Sequence, residues 1–134
     1  MRKSFLPVLA ALILSSVTYA AKKFPLTAAS LVPGARGTVE IGTDKNGNTK
    51  VKVKVQHLAS PESLTPPQNA YIVWFQQKGS NPETEGRLTV NKKLEGQFET
   101  TTPYKNFDLF ITAEQDATTK SPSGTEVLRA TVQP

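Results

Sequence analysis

Three sets of residues have the types and spacing to do chemistry. The first is Lys50, Lys52 and Lys54, in a run that alternates a cation with a valine and ends at His57, the chain's one histidine. On an extended strand, alternate residues lie about 6.6 Å apart on one face, a spacing that can meet successive anionic groups. Sheet surfaces that read nucleic acid also want exposed aromatics for stacking. This run has none, so no nucleic-acid partner is expected. The lysines are candidate binding residues for an anionic surface polymer. Their plainer role is a solvated face, or an edge guarded against sheet-to-sheet pairing.

The second set is acidic: Glu83, Glu85, Glu95, Glu99, Asp108, Glu114 and Asp116, several of them two apart. Sugar hydrolysis needs two carboxyl groups held about 5–9 Å apart across a cleft. Pairs on loop-like stretches provide no such cleft, and solubility is the simpler role. His57 follows the valine face and is expected to cap the strand or touch a loop. A general base needs a partner within hydrogen-bond reach, and no nucleophile motif stands near it. With no cysteine and one histidine, soft-metal sites and thiol chemistry are excluded. No calcium-loop spacing appears. The expectation is a non-enzyme with no metal and no cofactor.

The third set lies in "AYIVWFQ", Ala70 to Gln76, the most apolar run after residue 20. Tyr71, Val73 and Phe75 share one parity; Ile72 and Trp74 share the other. Trp74 is expected as a core anchor between two sheets. If its parity faces outward instead, Trp74 and Ile72 mark a contact patch for a partner.

The elements that must position these residues are strands. Val51, Val53 and Val55 alternate with the lysines at period two, and Val39 and Ile41 alternate before them. Asn46-Gly47 between the two runs is a turn pair that tolerates positive φ. Together they predict an antiparallel hairpin with one wet face. Pro25 and Pro33 bracket a candidate edge segment from Leu26 to Val32. "ASPESLTPP" is a connection, and "KGSNPETEG" is a turn-rich loop. "RLTVN", with Leu88 and Val90 inward, and "QFETT" are short strands. Phe107, Leu109 and Ile111 share a face in the next strand, with Asp108, Phe110 and Thr112 opposite. "TEVLRATV" is the last strand. Seven or eight short strands without a helical pattern read as an all-β sandwich, with a small barrel as the alternative.

The first twenty residues have a different character. Arg2 and Lys3 precede an apolar run from Leu6 to Leu14, and Thr18 and Ala20 follow at cleavage-site spacing. This is the layout of a secretory signal peptide, residues 1–20, ahead of one domain at residues 21–134. The apolar run is short for a membrane span, so the membrane is a partner only if this segment is retained. The expected location is periplasmic or secreted. The net charge of +5 falls to +3 without Arg2 and Lys3, an ordinary value that gives weak evidence of an anionic partner.

From Asn69 to Val132 the chain resembles the outer, C-terminal domain of membrane-anchored anti-sigma factors of the anti-sigma-K type. The resemblance rests on "YIVWFQ", "GRLTV", "FDLFITAEQ", "SPSG" and "EVLRATV". It implies an immunoglobulin-like antiparallel β-sandwich outside the cytoplasmic membrane, and it singles out Glu114 as a structural acid. Gln115 stands where the family has proline, and "DATTK" replaces its glycine-rich turn. The helical domain with which the family holds a sigma factor has no counterpart in this sequence, so no sigma factor is expected as a partner. The expected role is contact with a protein or envelope component. The alternatives are an accessory subunit of an exported assembly and a remnant sensory domain.

Overall fold

The computed structural model describes residues 22–134; the leader read at residues 1–20 lies outside them. Eight antiparallel strands follow in order: β1 (Lys22–Ala28), β2 (Arg36–Thr43), β3 (Thr49–Gln56), β4 (Ala70–Gln76), β5 (Glu83–Leu88), β6 (Gly96–Thr102), β7 (Phe107–Glu114) and β8 (Thr125–Val132). A single 3₁₀ turn, Pro61–Ser63, interrupts the long β3–β4 connection. Among the described residues no helix is long and apolar enough to cross a membrane.

The hydrogen-bonded order is β5-β4-β7-β8-β1-β2-β3-β6. The chain folds it into two layers, with β1 as the corner. Lys22 to Leu26 pair with β2 in the first sheet, and Thr27 and Ala28 pair with β8 in the second. β3 lies beside β6, β4 beside β7, and β7 beside β8. That connectivity, with crossings between sheets after β3, β5 and β6, is the Greek-key pattern of immunoglobulin-like sandwiches.

The expected edge segment from Leu26 to Val32 is displaced: the strand starts at Lys22 and contains Pro25. Proline is tolerated there because pairing with β8 begins only at Thr27, so at Pro25 the strand has one neighbour. β5 likewise starts at Glu83, inside the stretch read as a loop. A register shift between Val73 and Trp74, opposite Gly86, breaks its period-two signal.

The space between the sheets is filled by alternate residues, as the pleat requires. Val39, Val51, Val53 and Val55 come from the first sheet. Tyr71, Val73, Phe75, Phe107, Leu109, Ile111 and Leu128 come from the second. The Phe75 and Phe107 ring centroids are 4.5 Å apart, and the Tyr71 hydroxyl donates to the Ala59 carbonyl at 2.6 Å. That bond ties the β3–β4 connection to the core.

Candidate functional site

The outward face of the first sheet is built by the residues that alternate with the valines. Register alone places Lys23 opposite Glu40, Glu40 opposite Lys52, and Lys52 opposite Glu99. One row across four strands thus reads cation, anion, cation, anion. Lys23 and Glu40 approach to 3.7 Å, Lys52 and Glu99 to 3.4 Å, and Lys54 reaches Glu40 diagonally at 3.6 Å. Exposed pairs of this kind contribute about 0–1 kcal/mol each.

The three lysines therefore share a face and a strand but not an electrostatic state. Lys52 and Lys54 are paired. Lys50 lies opposite Gly42 and Thr101 and has no ion pair among the described residues. Arg36, opposite Gln56, extends the face at its other end. Lys23, Arg36, Lys50, Lys52 and Lys54 stand there against Glu40 and Glu99, so the face keeps a positive surplus.

The outward face of the second sheet is apolar at its centre. Trp74 lies opposite Phe110, and Phe110 opposite Arg129. The Trp74 and Phe110 rings stack at 6.4 Å, and the Arg129 guanidinium carbon sits 4.5 Å from the Phe110 ring centre. Glu126 and Asp108 hold that guanidinium at 2.6 and 3.0 Å. Ala70, Ile72, Trp74 and Phe110 form a buried cluster of their own. Trp74 is thus buried, but on the face turned away from Tyr71, Val73 and Phe75, not between the sheets as expected. Nor are Trp74 and Ile72 an exposed patch: they are 0% and 1% accessible.

A polar chain runs beside this cluster. Trp74 Nε1 donates to Thr112 Oγ1 at 2.8 Å, and the Thr112 hydroxyl donates to Glu114 Oε2. Glu114 also accepts from the Ser123 hydroxyl at 2.7 Å and from the Gly124 N–H at 3.0 Å. It is fully buried, and it has no ion pair among the described residues. The carboxylate therefore acts as a multi-point acceptor that fastens the β7–β8 loop to β7. Gly124 permits the close approach, since a Cβ there would stand 1.8 Å from the Ala113 carbonyl oxygen.

The remaining acids do not converge. Glu83 accepts from the Tyr104 hydroxyl at 2.8 and 3.0 Å, bracing the start of β5 against the β6–β7 connection. Burial, then the nearby Glu83 charge, pushes the Glu85 carboxyl up. No group of three or more His, Asp or Glu suited to a metal occurs among the described residues.

Two turns at opposite ends of the first sheet have the same hydrogen-bond plan. In the β2–β3 turn, Asp44 Oδ1 accepts from the N–H groups of Asn46 and Asn48, both at 2.8 Å. The Gly47 N–H returns to the Asp44 carbonyl, and the Asp44 N–H to the Asn48 carbonyl. In the turn between β5 and β6, Asn91 Oδ1 accepts from Lys93 at 2.9 Å and Glu95 at 3.0 Å. The Leu94 N–H returns to the Asn91 carbonyl, and the Asn91 N–H to the Glu95 carbonyl.

The plan requires positive φ at its fourth residue, the bulge position of a three-residue hairpin loop. Gly47 supplies it at +80°, while Asn46 does not share it. In the second turn the residue is Leu94, at +62°. An L-residue there costs about 1–2 kcal/mol. His57, at +55°, is the other non-glycine residue in this region among the described residues. It leaves the valine face at the end of β3 and points to solvent. The two are neighbours, because the Leu58 N–H donates to the Leu94 carbonyl at 3.0 Å. Residue types alone did not mark Leu94; the Asx residue three positions earlier, shared by both turns, is the signal that finds it.

No protein-family model matches this chain, and no curated protein matches it. The fold and the charge pattern therefore carry the functional reading.

Proposed function

We propose that this is a non-catalytic, exported β-sandwich domain that contacts an anionic component of the cell envelope through the outward face of its first sheet. The observation that carries the reading is the contrast between the two candidate surfaces. Ile72 and Trp74 are buried, whereas Lys50, Lys52 and Lys54 lie on an accessible face with a positive surplus. Lys50, without an ion pair among the described residues although its charge reaches Asp44, is the strongest contact point. Electrostatic attraction of this kind is reduced by salt. The resemblance to the outer domain of anti-sigma-K-type factors supports the same compartment, and a sensory ancestry would fit it.

Assembly by strand addition is the less favoured reading. Hydrogen-bonded pairs alternate along an antiparallel ladder. The Asp44–Asn48 bond sets the phase, so Gln97, Glu99 and Thr101 of β6 face away from β3. On β6 the Val90–Gly96 bridge takes up Gln97 and leaves two residues free; β5 is the other edge strand.

The test is a pull-down from envelope extract at low and high salt, using the chain and its K50Q/K52Q/K54Q variant. The expected result is a partner recovered at low salt and lost both at high salt and with the variant. No partner in either salt, or equal recovery by the variant, would overturn the reading.

A further inference from the structure

A single exposed leucine is ordinary on a protein surface. Leu94 is different because the same molecule contains its control. The β2–β3 turn makes every hydrogen bond of the β5–β6 turn with glycine at the position that needs positive φ. The turn plan therefore gains nothing from a leucine side chain. Leu94 is also 41% accessible, the one large hydrophobic exposed among the described residues, so much of its side chain is left to solvent. Backbone strain of this kind concentrates where a side chain serves recognition.

The neighbours of Leu94 indicate what it would meet. Lys92 and Lys93 precede it and are exposed. A groove lined by Lys54, Gln56, Asn91 and Glu95 joins the turn to the lysine face. The tip sets Lys92 and Lys93 before Leu94 and the exposed Glu95 after it, a net positive charge beside an apolar residue, which fits a surface that is anionic outside and apolar just beneath. Amphipathic interfacial anchors work in this way, with the lysines at the headgroups and the apolar residue at the acyl boundary. A pocket in a partner protein would take the leucine but gives no reason for the two lysines.

We propose that the β5–β6 turn is a peripheral membrane anchor: Leu94 enters the interface of an anionic bilayer, and Lys92 and Lys93 pair with its headgroup phosphates. The proposal rests on the exported, anion-contacting reading and names the bilayer as one surface that the domain touches.

The test is flotation with vesicles of phosphatidylglycerol and phosphatidylethanolamine, against vesicles of phosphatidylcholine alone. It uses the full chain and the chain from Ala21, each as wild type, L94G, L94N and K92Q/K93Q. In the chain from Ala21, L94G and L94N should lower partition onto the anionic vesicles by about tenfold; the full chain, whose apolar run from Leu6 to Leu14 can itself enter a bilayer, measures the contribution of that run. Each lysine removed should lower partition of the chain from Ala21 about fivefold. Thermal melts of the same variants confirm folding, since glycine and asparagine both suit the turn.

In the chain from Ala21, equal partition of wild type and L94G, or equal binding to neutral vesicles, would overturn the anchor. So would a Leu94-dependent protein partner without vesicle binding. Beads coated with polyglutamate separate this proposal from the preceding one. Bead binding that needs Lys50, with vesicle binding indifferent to Leu94, sinks the anchor and leaves the lysine face standing. Leu94-dependent vesicle binding without bead binding does the reverse. No binding to either sinks both.

Discussion

Leu94 occupies in the β5–β6 turn the place that Gly47 occupies in the β2–β3 turn, with the same four hydrogen bonds around it. The pair gives an opposite-sign stability experiment within one protein. L94G relieves the left-handed backbone but gives the unfolded chain more freedom. The net expectation is a gain of about 0.5–1 kcal/mol in urea unfolding. G47A should lose about 1 kcal/mol, because it introduces a Cβ where φ is positive. If L94G destabilises instead, its side chain makes a stabilising contact, and the strain argument fails.

The Trp74–Thr112–Glu114 chain makes a second prediction. Thr112 accepts from Trp74 and donates to Glu114, so its hydroxyl links the indole to the carboxylate. T112V keeps the shape but leaves the indole N–H without a partner, while Glu114 Oε2 keeps only its backbone donors such as the Gly124 N–H. E114Q brings an amide N–H against a site otherwise lined by donors from Thr112, Ser123 and Gly124. Each should cost about 1–3 kcal/mol, the usual penalty for an unsatisfied buried polar group. Trp74 is the chain's one tryptophan, so its emission reports both. T112V should change the spectrum of the folded state, and S123A, farther along the chain, should leave it unchanged. Losses below about 0.5 kcal/mol for both T112V and E114Q would mean that the chain is incidental.

A third prediction concerns the charged row. Lys52 and Glu99 are 3.4 Å apart with side chains 36% and 66% accessible. A double-mutant cycle with K52Q and E99Q should return a coupling of about 0.2–1 kcal/mol. The coupling should shrink as salt is raised. A coupling above about 2 kcal/mol would mark the row as a structural element, and the lysines would then be poor candidates for an external contact.

The hairpin was legible because β-branched residues alternated with cations, a pattern that only a half-buried strand satisfies. β1 was obscured by Pro25, which sits inside the strand at a point where the strand has one neighbour. The start of β5 was obscured by the bulge near Gly86, which breaks the alternation. Trp74 was misplaced for another reason. A run in which both parities are apolar carries no information about which face is which, and the bulky residue was assigned to the larger core. At the candidate site, the lysine face was legible but its pairing was not, because Glu40 and Glu99 come from neighbouring strands. The exposure of Leu94 and its strained backbone follow from a turn geometry that its own residue type argues against.

Tyr71 carries the last prediction. Burial, with the Glu62 charge as the smaller cause, pushes its phenol up to about 12 from the usual value near 10. The neutral hydroxyl donates to the Ala59 carbonyl, a bond that the phenolate cannot make. A folded-state value above the unfolded one means that the folded chain binds the proton more tightly. The associated stability is fully present below about pH 10 and is lost as the pH rises toward 12, a change of roughly 2 kcal/mol. Wild type and Y71F should therefore differ in the slope of unfolding free energy across that window, with Y71F flatter. Absorbance titration should assign the later phenolate to Tyr71. Tyr104, half-buried and raised chiefly by its hydrogen bond to Glu83, serves as the comparison through Y104F. If Tyr71 ionises near pH 10 while the protein is folded, the β3–β4 connection does not close over the ring, and its bond to Ala59 is not part of the resting structure.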